Sequence, residues 1–285
     1  MRNTIGIPEA VQWFDPDLQE EILLHRRISD GVTLATGARS GKSLVVKTMT
    51  GEQGFERAEA EWLGLVSLRA TGAFRIPHVL AKGAGVLVME SIRAEKEGWT
   101  GEAFGRALAE MHCTRGPGFG WSRSSFCGPT VQDNTLDMDW PRFFLERRLL
   151  PLCDRLGDAG RSVEDSLRAL TLTFESRWKG VCAFSSLVHG DLWQGNYIEA
   201  GDRTALIDPA TYWGHGEVDV AMLHLFGTPP EGFVDGYRSI LPIEEGLDWR
   251  MNFYNLYHLL NHACLFGHQY LQVFADNLRK LEKKV

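Results

Sequence analysis

Apolar positions change rhythm along the chain, and the changes mark out its elements. Between Pro8 and His25, Val11, Phe14, Leu18 and Ile22 recur at intervals of three and four, which predicts an opening helix. A strand is predicted from near Ile28. It leads into the turn-rich Gly37-Ala38-Arg39-Ser40-Gly41 and then Leu44-Val45-Val46-Lys47, a β-branched run that closes on a lysine. From Phe55 to Leu68, the positions of Trp62, Leu63, Val66 and Leu68 suit a helix, with Gly72 just past its end. Pro77-His78-Val79-Leu80 and Gly85-Val86-Leu87-Val88-Met89 read as short strands. After Glu90 the pattern turns helical, starting with the alanine-rich Glu102 to His112. Loops rich in Gly, Pro and Ser interrupt it between Gly116 and Thr130. The expected division is a strand-rich lobe over residues 1–91 and a larger helical lobe over 92–285, without internal repeats.

One segment carries chemistry. Leu187-Val188-His189-Gly190-Asp191-Leu192-Trp193-Gln194-Gly195-Asn196 is a short apolar strand that delivers an aspartate, with an asparagine five residues later. Ala205-Leu206-Ile207-Asp208 is a second apolar strand delivering a second aspartate. Phosphoryl transfer needs these groups in this order: a carboxylate to orient the attacking hydroxyl and take its proton, then hard oxygen donors for magnesium. Asp191 is therefore the candidate base, and Asn196 and Asp208 are the candidate metal ligands. Lys47 is placed to hold the phosphates of ATP. A helical glutamate should orient it; Glu59 is the choice and Glu61 the rival, since residues two apart on a helix point in different directions. Met89, Glu90 and Ser91 end a strand at the lobe boundary, where backbone would contact the adenine. Gly37 belongs to the turn expected to cover the phosphates. Gly37 to Ser43 is one residue short of a Walker loop and lies between strands, so that reading is set aside.

Composition narrows the partners. A net charge of −7 gives no general attraction for nucleic acid or an anionic membrane. Five scattered cysteines, at 113, 127, 153, 182 and 264, form no C-x-x-C pair and read as reduced thiols. No apolar run approaches the ~20 residues that span a bilayer, and the start of the chain lacks the apolar stretch of a signal peptide, so a cytoplasmic protein is expected. His258 and His262 stand four apart, but Leu259 replaces the glutamate of a zincin, and both read as core or supporting histidines. Glu146-Arg147-Arg148 reads as a solvated helix face. Glu217 and Asp219 read as holding the metal loop in place.

The chain resembles the fructosamine kinase (ketosamine-3-kinase) family, of the aminoglycoside-phosphotransferase and choline-kinase branch. His189 to Asn196 looks like the family's H-G-D-L-W-x-G-N. Asp208-Pro209-Ala210-Thr211-Tyr212-Trp213-Gly214-His215-Gly216-Glu217-Val218-Asp219 is similar to its D-P-A-x-Y-x-G-x-x-E-x-D. Gly118-Phe119-Gly120, Gly128 to Asn134, Arg147-Arg148-Leu149 and Tyr257 to His262 extend the likeness. The resemblance implies an α+β, protein-kinase-like, two-lobed fold: a five-stranded antiparallel sheet with its helix, and a mainly helical C-lobe. It implies ATP and Mg2+ as cofactors and a ketosamine, free or protein-bound, as the substrate phosphorylated on a sugar hydroxyl, which leads to deglycation. It makes Trp193 a wall of the sugar site and gives His262, with Asn261, a polar contact there. The cysteine that some members carry between the first two strands is absent, so no redox-controlled dimer is expected and a monomer is favoured. Two other readings stay open at this point: an aminoglycoside, choline or other alcohol as acceptor, or a catalytically silent kinase-like binding module.

Overall fold

Extended backbone, not the expected helix, runs from Ile22. The computed structural model describes residues 12–14, 19–178 and 184–283. Within these, β1 (Gln12–Trp13) and β2 (Ile22–Ser29) occupy ground where a helix was expected. Phe14 lies in a bend, and Val11 and Leu18 fall outside the described residues. Ile22 is buried and pairs with Gly37, so it belongs to a strand rather than to the expected helix. The stretch from Ile28 to Lys47 accordingly holds the end of β2 and two further strands, β3 (Val32–Gly37) and β4 (Ser43–Thr48).

Helix α1 (Gly54–Ala70) follows, then β5 (Val79–Gly83) and β6 (Val86–Glu90). Among the described residues the antiparallel sheet has six strands, in the order β1-β5-β6-β4-β3-β2, not the expected five; β1 adds the edge through Gln12↔Lys82 and Trp13↔Ala81. On one face Ile22, Ala35, Leu44, Val46, Ala81, Val86 and Val88 form a buried cluster. Strand residues alternate faces, so Lys47 lies opposite Leu44 and Val46, on the face where α1 packs against β5 and β6.

This unit runs to Trp99 and also takes in Tyr197–Pro209. The hairpin of strands Tyr197–Ala200 and Arg203–Leu206 makes bridges from Ala205 to Arg75 and from Ala200 to Glu95. The Trp99 indole N–H donates to the Thr204 hydroxyl at 2.8 Å. These pairings carry the break from the expected Ser91 to Trp99, and return to the unit the distant segment Tyr197–Pro209, which no local pattern could assign to it.

The second unit comprises Thr100–Asn196 and Ala210–Val285. Thr100 caps α2 (Gly101–His112), its side chain accepting from the Ala103 N–H. The core gathers Trp140, Phe143, Phe144, Phe174, Phe253 and Tyr254 from helices Trp140–Phe144, Asp158–Trp178 and Leu247–Phe266. Each of these large side chains contributes roughly 1.5–3 kcal/mol by leaving water. A π-helical turn, Leu145–Leu149, interrupts the helical run: Glu146 stays exposed as a solvated face requires, Arg147 is half-exposed, and Arg148 departs from that reading. Arg148 is 1% exposed. It donates to the Asp133 carbonyl at 2.7 Å and to Asn134 Oδ1 at 2.6 Å, and its guanidinium lies 4.2 Å from the Tyr212 ring centre. Such single π turns re-aim side chains inside α-helices. Among the described residues no helix is long and apolar enough to cross a membrane.

Candidate active site

Lys47 enters from β4 on the helix side of the sheet, and its ammonium donates to Glu61 Oε2 at 2.6 Å. Glu59, the glutamate expected to hold it, instead accepts from Lys82 at 2.5 Å, while the Lys82 ammonium also sits 3.5 Å from the Trp62 ring centre. Helical geometry explains the correction. Ala58, Glu61, Leu65 and Leu68 are all buried and follow one another at spacings of three and four, so Glu61 lies in the stripe of α1 that faces the sheet. Burial alone would lower the Lys47 pKa. The charges and hydrogen bonds of Glu61 and Asp208 outweigh it, and the ammonium is held above its ordinary value.

Asp208 follows strand Arg203–Leu206 with φ of +55°. A non-glycine residue in the left-handed region costs on the order of 1–3 kcal/mol and tends to persist where function requires it. The conformation leaves its carboxylate half exposed, with Oδ1 accepting from Lys47 at 3.0 Å. The turn after β3 holds an element the sequence did not disclose. Glu20 Oε2 accepts from the Arg39 and Ser40 N–H groups at 2.7 and 2.8 Å, and Oε1 accepts from the Ser40 hydroxyl at 2.7 Å. A Cβ on Gly37 would stand 2.3 Å from Glu20 Oε1, so only glycine allows this side chain to lie over the turn. Met89 is buried at the end of β6. The Glu90 N–H donates to the His78 carbonyl and the Ser91 N–H to that of Ser43. Both amides are engaged within the sheet, so an adenine contact at this segment rests on its position alone.

In the second unit, strand Ser186–Val188 pairs with Tyr212–Gly214 and ends at His189. Asp219, fully buried in the first turn of helix Glu217–Leu225, accepts from the His189 N–H at 2.7 Å and from the Gly190 N–H at 2.8 Å. His112 lies 3.2 Å from its Oδ2 and bonds Tyr237 through the other ring nitrogen at 2.9 Å. Burial would raise the Asp219 carboxyl. Hydrogen bonds and positive charge from His112, with the Gly190 N–H, more than offset it and hold the carboxyl below its usual range. Asp219 thus anchors the loop that carries Asp191, while Glu217 takes the Arg250 guanidinium in two bonds of 2.7 Å. Glu217 has no contact with the loop of Asp191 and Asn196 among these bonds, whereas Asp219 does.

The glycines of the motif have steric causes. Gly190 has φ of +82°, and a Cβ there would stand 2.3 Å from the Ala210 carbonyl oxygen. A Cβ on Gly195 would meet the Trp193 ring at 2.4 Å, so the indole lies over that backbone. Asn196, buried in the turn Gln194–Asn196, donates through Nδ2 to the Asp191 carbonyl at 2.8 Å and to Asp191 Oδ2 at 3.2 Å. Base candidate and metal-ligand candidate are therefore fixed to each other.

A cavity of about 480 Å³ opens beside Asp191, walled by Cys127, Trp193, Phe226, Asn261 and His262 among others. The His262 ring stacks on Phe226 at 5.1 Å, burial lowers its pKa, and its Nδ1 has no hydrogen-bond partner. Asn261 accepts from the Thr130 hydroxyl at 2.6 Å and lies 3.4 Å from Cys127 Sγ, so it mainly fixes the hairpin of strands Ser125–Cys127 and Thr130–Gln132. His258 Nδ1 lies 3.9 Å from Asp191 Oδ1, and burial takes its pKa down to about 3. Cys127 and His258 were not expected beside the base. Nothing in their local sequence signals it, because they reach the loop from two distant elements.

Comparison with known proteins gives a consistent result. The profile described as fructosamine kinase matches residues 26–284. A Synechocystis protein provisionally named a ketoamine kinase is 37% identical over 243 residues, 80% of this chain and 79% of its own length. The chloroplastic protein-ribulosamine 3-kinase of Arabidopsis thaliana is 33% identical over 240 residues, 79% of this chain and 73% of its own. A crystal structure from Thermobifida fusca, provisionally assigned as a fructosamine-3-kinase, superposes with a TM-score of 0.83 at 30% identity, covering 93% of this chain and 95% of that one. Choline kinase LicA of Streptococcus pneumoniae shares the fold, with a TM-score of 0.63 at 18% identity, covering 93% and 95% of the two chains.

Proposed function

The chain belongs to the fructosamine kinase family, and on that premise we propose that Asp191 is the general base for phosphorylating a sugar hydroxyl of a ketosamine. Its fold is protein-kinase-like, an antiparallel sheet followed by a mainly helical region, and the family's reaction is phosphoryl transfer from ATP to an alcohol. The observation that carries the reading is the clamped loop. Asp219 fixes the backbone before Asp191, Asn196 fixes its carboxylate, and the carboxylate lines a cavity large enough for a sugar adduct. Positioning of this kind supplies most of the catalysis in phosphoryl transfer, where little covalent chemistry falls to the protein.

Lys47, kept charged by Glu61, is assigned to the phosphates, with Gly37 and the Met89–Ser91 backbone assigned to the rest of the nucleotide. The donor set fits magnesium. Asn196 spends its Nδ2 on Asp191, which leaves the amide oxygen, and Asp208 offers a half-exposed carboxylate; both are hard oxygen donors. Magnesium bound by such donors would neutralise charge on the phosphates. Trp193 offers an aromatic face to the sugar, and the unpartnered His262 Nδ1 offers it a polar contact. A phosphate-transfer assay with fructosyl-, ribulosyl- and erythrulosyl-lysine beside choline and an aminoglycoside tests the assignment. Turnover on at least one ketosamine, well above that on the amino alcohols, is expected. Turnover confined to choline or the aminoglycoside would contradict it.

A further inference from the structure

Three side chains meet at Asp191 that the phosphoryl-transfer reading does not use together. Cys127 Sγ, a carboxylate oxygen of Asp191 and a ring nitrogen of His258 lie within 4.8 Å of one another. His258 is 5% exposed, and its Nδ1, the atom 3.9 Å from Asp191 Oδ1, has no hydrogen-bond partner. That separation is too long for a hydrogen bond. A buried polar nitrogen left unpaired costs on the order of 1–3 kcal/mol, so an acceptor or an ion is the missing element. Cys127 and Asp191 both line the 480 Å³ cavity, which gives a small cation a way in and leaves a fourth coordination position open to it.

Thiolate, imidazole and carboxylate together are a donor set for zinc rather than magnesium, which prefers oxygen alone. Tetrahedral zinc holds such donors about 3.5 Å apart, so the three side chains need close by only about 1 Å. We infer that Cys127, Asp191 and His258 form a binding site for a zinc-class divalent cation that stops the enzyme by taking the Asp191 carboxylate out of use. Binding replaces the thiol proton: Zn2+ takes the Cys127 thiolate, the Asp191 carboxylate and the neutral His258 ring through Nδ1, with the ring proton on Nε2, and one proton leaves to solvent. The inhibitory consequence rests on Asp191 being the base; the binding does not.

The two are separable by experiment. The 285-residue chain, freed of metal with a chelator, is titrated with zinc alone in a competition assay. Cobalt serves as an optical reporter, since a cysteine thiolate ligand gives a charge-transfer band. The expected result is one tight equivalent, with Kd about 1 µM or below, a thiolate-to-cobalt band, release of about one proton, and loss of phosphate transfer that excess magnesium does not reverse. Cys127→Ser should remove the band and weaken binding at least tenfold, and His258→Gln should weaken it by a similar factor. Cys113→Ser, which alters an exposed thiol elsewhere, should change neither. The His258 variant keeps the test open if the Cys127 variant does not fold. No equivalent bound below about 0.1 mM, or binding that Cys127→Ser and His258→Gln both leave intact, overturns the site. Binding with undiminished turnover overturns the inhibition and, with it, Asp191 as the base.

Discussion

At the scale of single residues, the pair proposed to serve the ATP phosphates is Lys47 with Glu61. A glutamate two positions earlier on the same helix serves Lys82 instead. Glu61→Gln removes the charge that keeps Lys47 oriented. It should lower kcat/KM by about 10- to 100-fold, or ~1.4–2.7 kcal/mol, while Glu59→Gln stays within about twofold. Steady-state kinetics with varied ATP checks both, and the reverse ranking would restore Glu59. The choice was legible in the sequence, since Ala58, Leu65 and Leu68 set a stripe that contains position 61 and excludes 59. Trp62, Leu63 and Val66 suggest a competing stripe, but Val66 is exposed and the other two are only half-buried. The placement of Lys47, Asp191 and Asp208 was legible because each closes or follows a short apolar strand, and that of Asn196 from its five-residue spacing to Asp191, patterns that survive without tertiary information.

At the scale of elements, the loop His189–Asn196 is shaped partly by the Ala210 backbone outside it and partly by its own Trp193 ring. Its two glycines could be read as a motif, but their cause, the Ala210 carbonyl and the Trp193 ring, needed the fold. Gly190→Ala should force the loop away from Ala210 and cost several °C in Tm along with most of the activity. Asp219 braces the loop that carries both Asp191 and Asn196, because strand pairing brings helix Glu217–Leu225 beneath His189. Asp219→Asn turns an acceptor oxygen into a donor facing an N–H. Charged hydrogen bonds contribute about 1.5–3 kcal/mol each, so Tm should fall by about 5–10 °C, and kcat should fall with KM for ATP little changed. An unchanged melting curve would contradict the anchoring role. The π turn at Leu145–Leu149 was hidden from periodicity, and so Arg148, read as solvated, proved to be buried. The six-stranded sheet was partly hidden for a similar reason: β1 is two residues long and carries no alternation to recognise.

At the scale of the whole molecule, buried histidines set an acid limit on stability. Burial, helped by the Arg250 and His112 charges, takes His215 down to about 3, and His258 is brought to about 3 as well. Both stay neutral in the folded chain, while in the unfolded chain they titrate near 6.5. Their contribution is therefore complete above about pH 6.5 and is lost as pH falls toward 3, by up to about 1.4 kcal/mol per pH unit for each. Urea denaturation at several pH values should show this slope, and His215→Gln should make it shallower; a slope unaltered by that variant would show that His215 protonates while folded. The division into units shows where sequence reading stops. Period-two and helical patterns located most of the sheet and α2, but the return of Tyr197–Pro209 to the first unit depends on pairings with Arg75 and Glu95 that no local signal announces. The central claim, that a clamped aspartate takes the proton from a ketosamine hydroxyl, meets its most direct test in one comparison. Phosphate transfer from labelled ATP to fructosyl- and ribulosyl-lysine is measured for the native chain and for Asp191→Asn, with matching circular dichroism and Tm. A fall of at least about 1,000-fold in kcat, or ~4 kcal/mol, with KM for ATP nearly constant, is predicted; turnover within tenfold of native would contradict it.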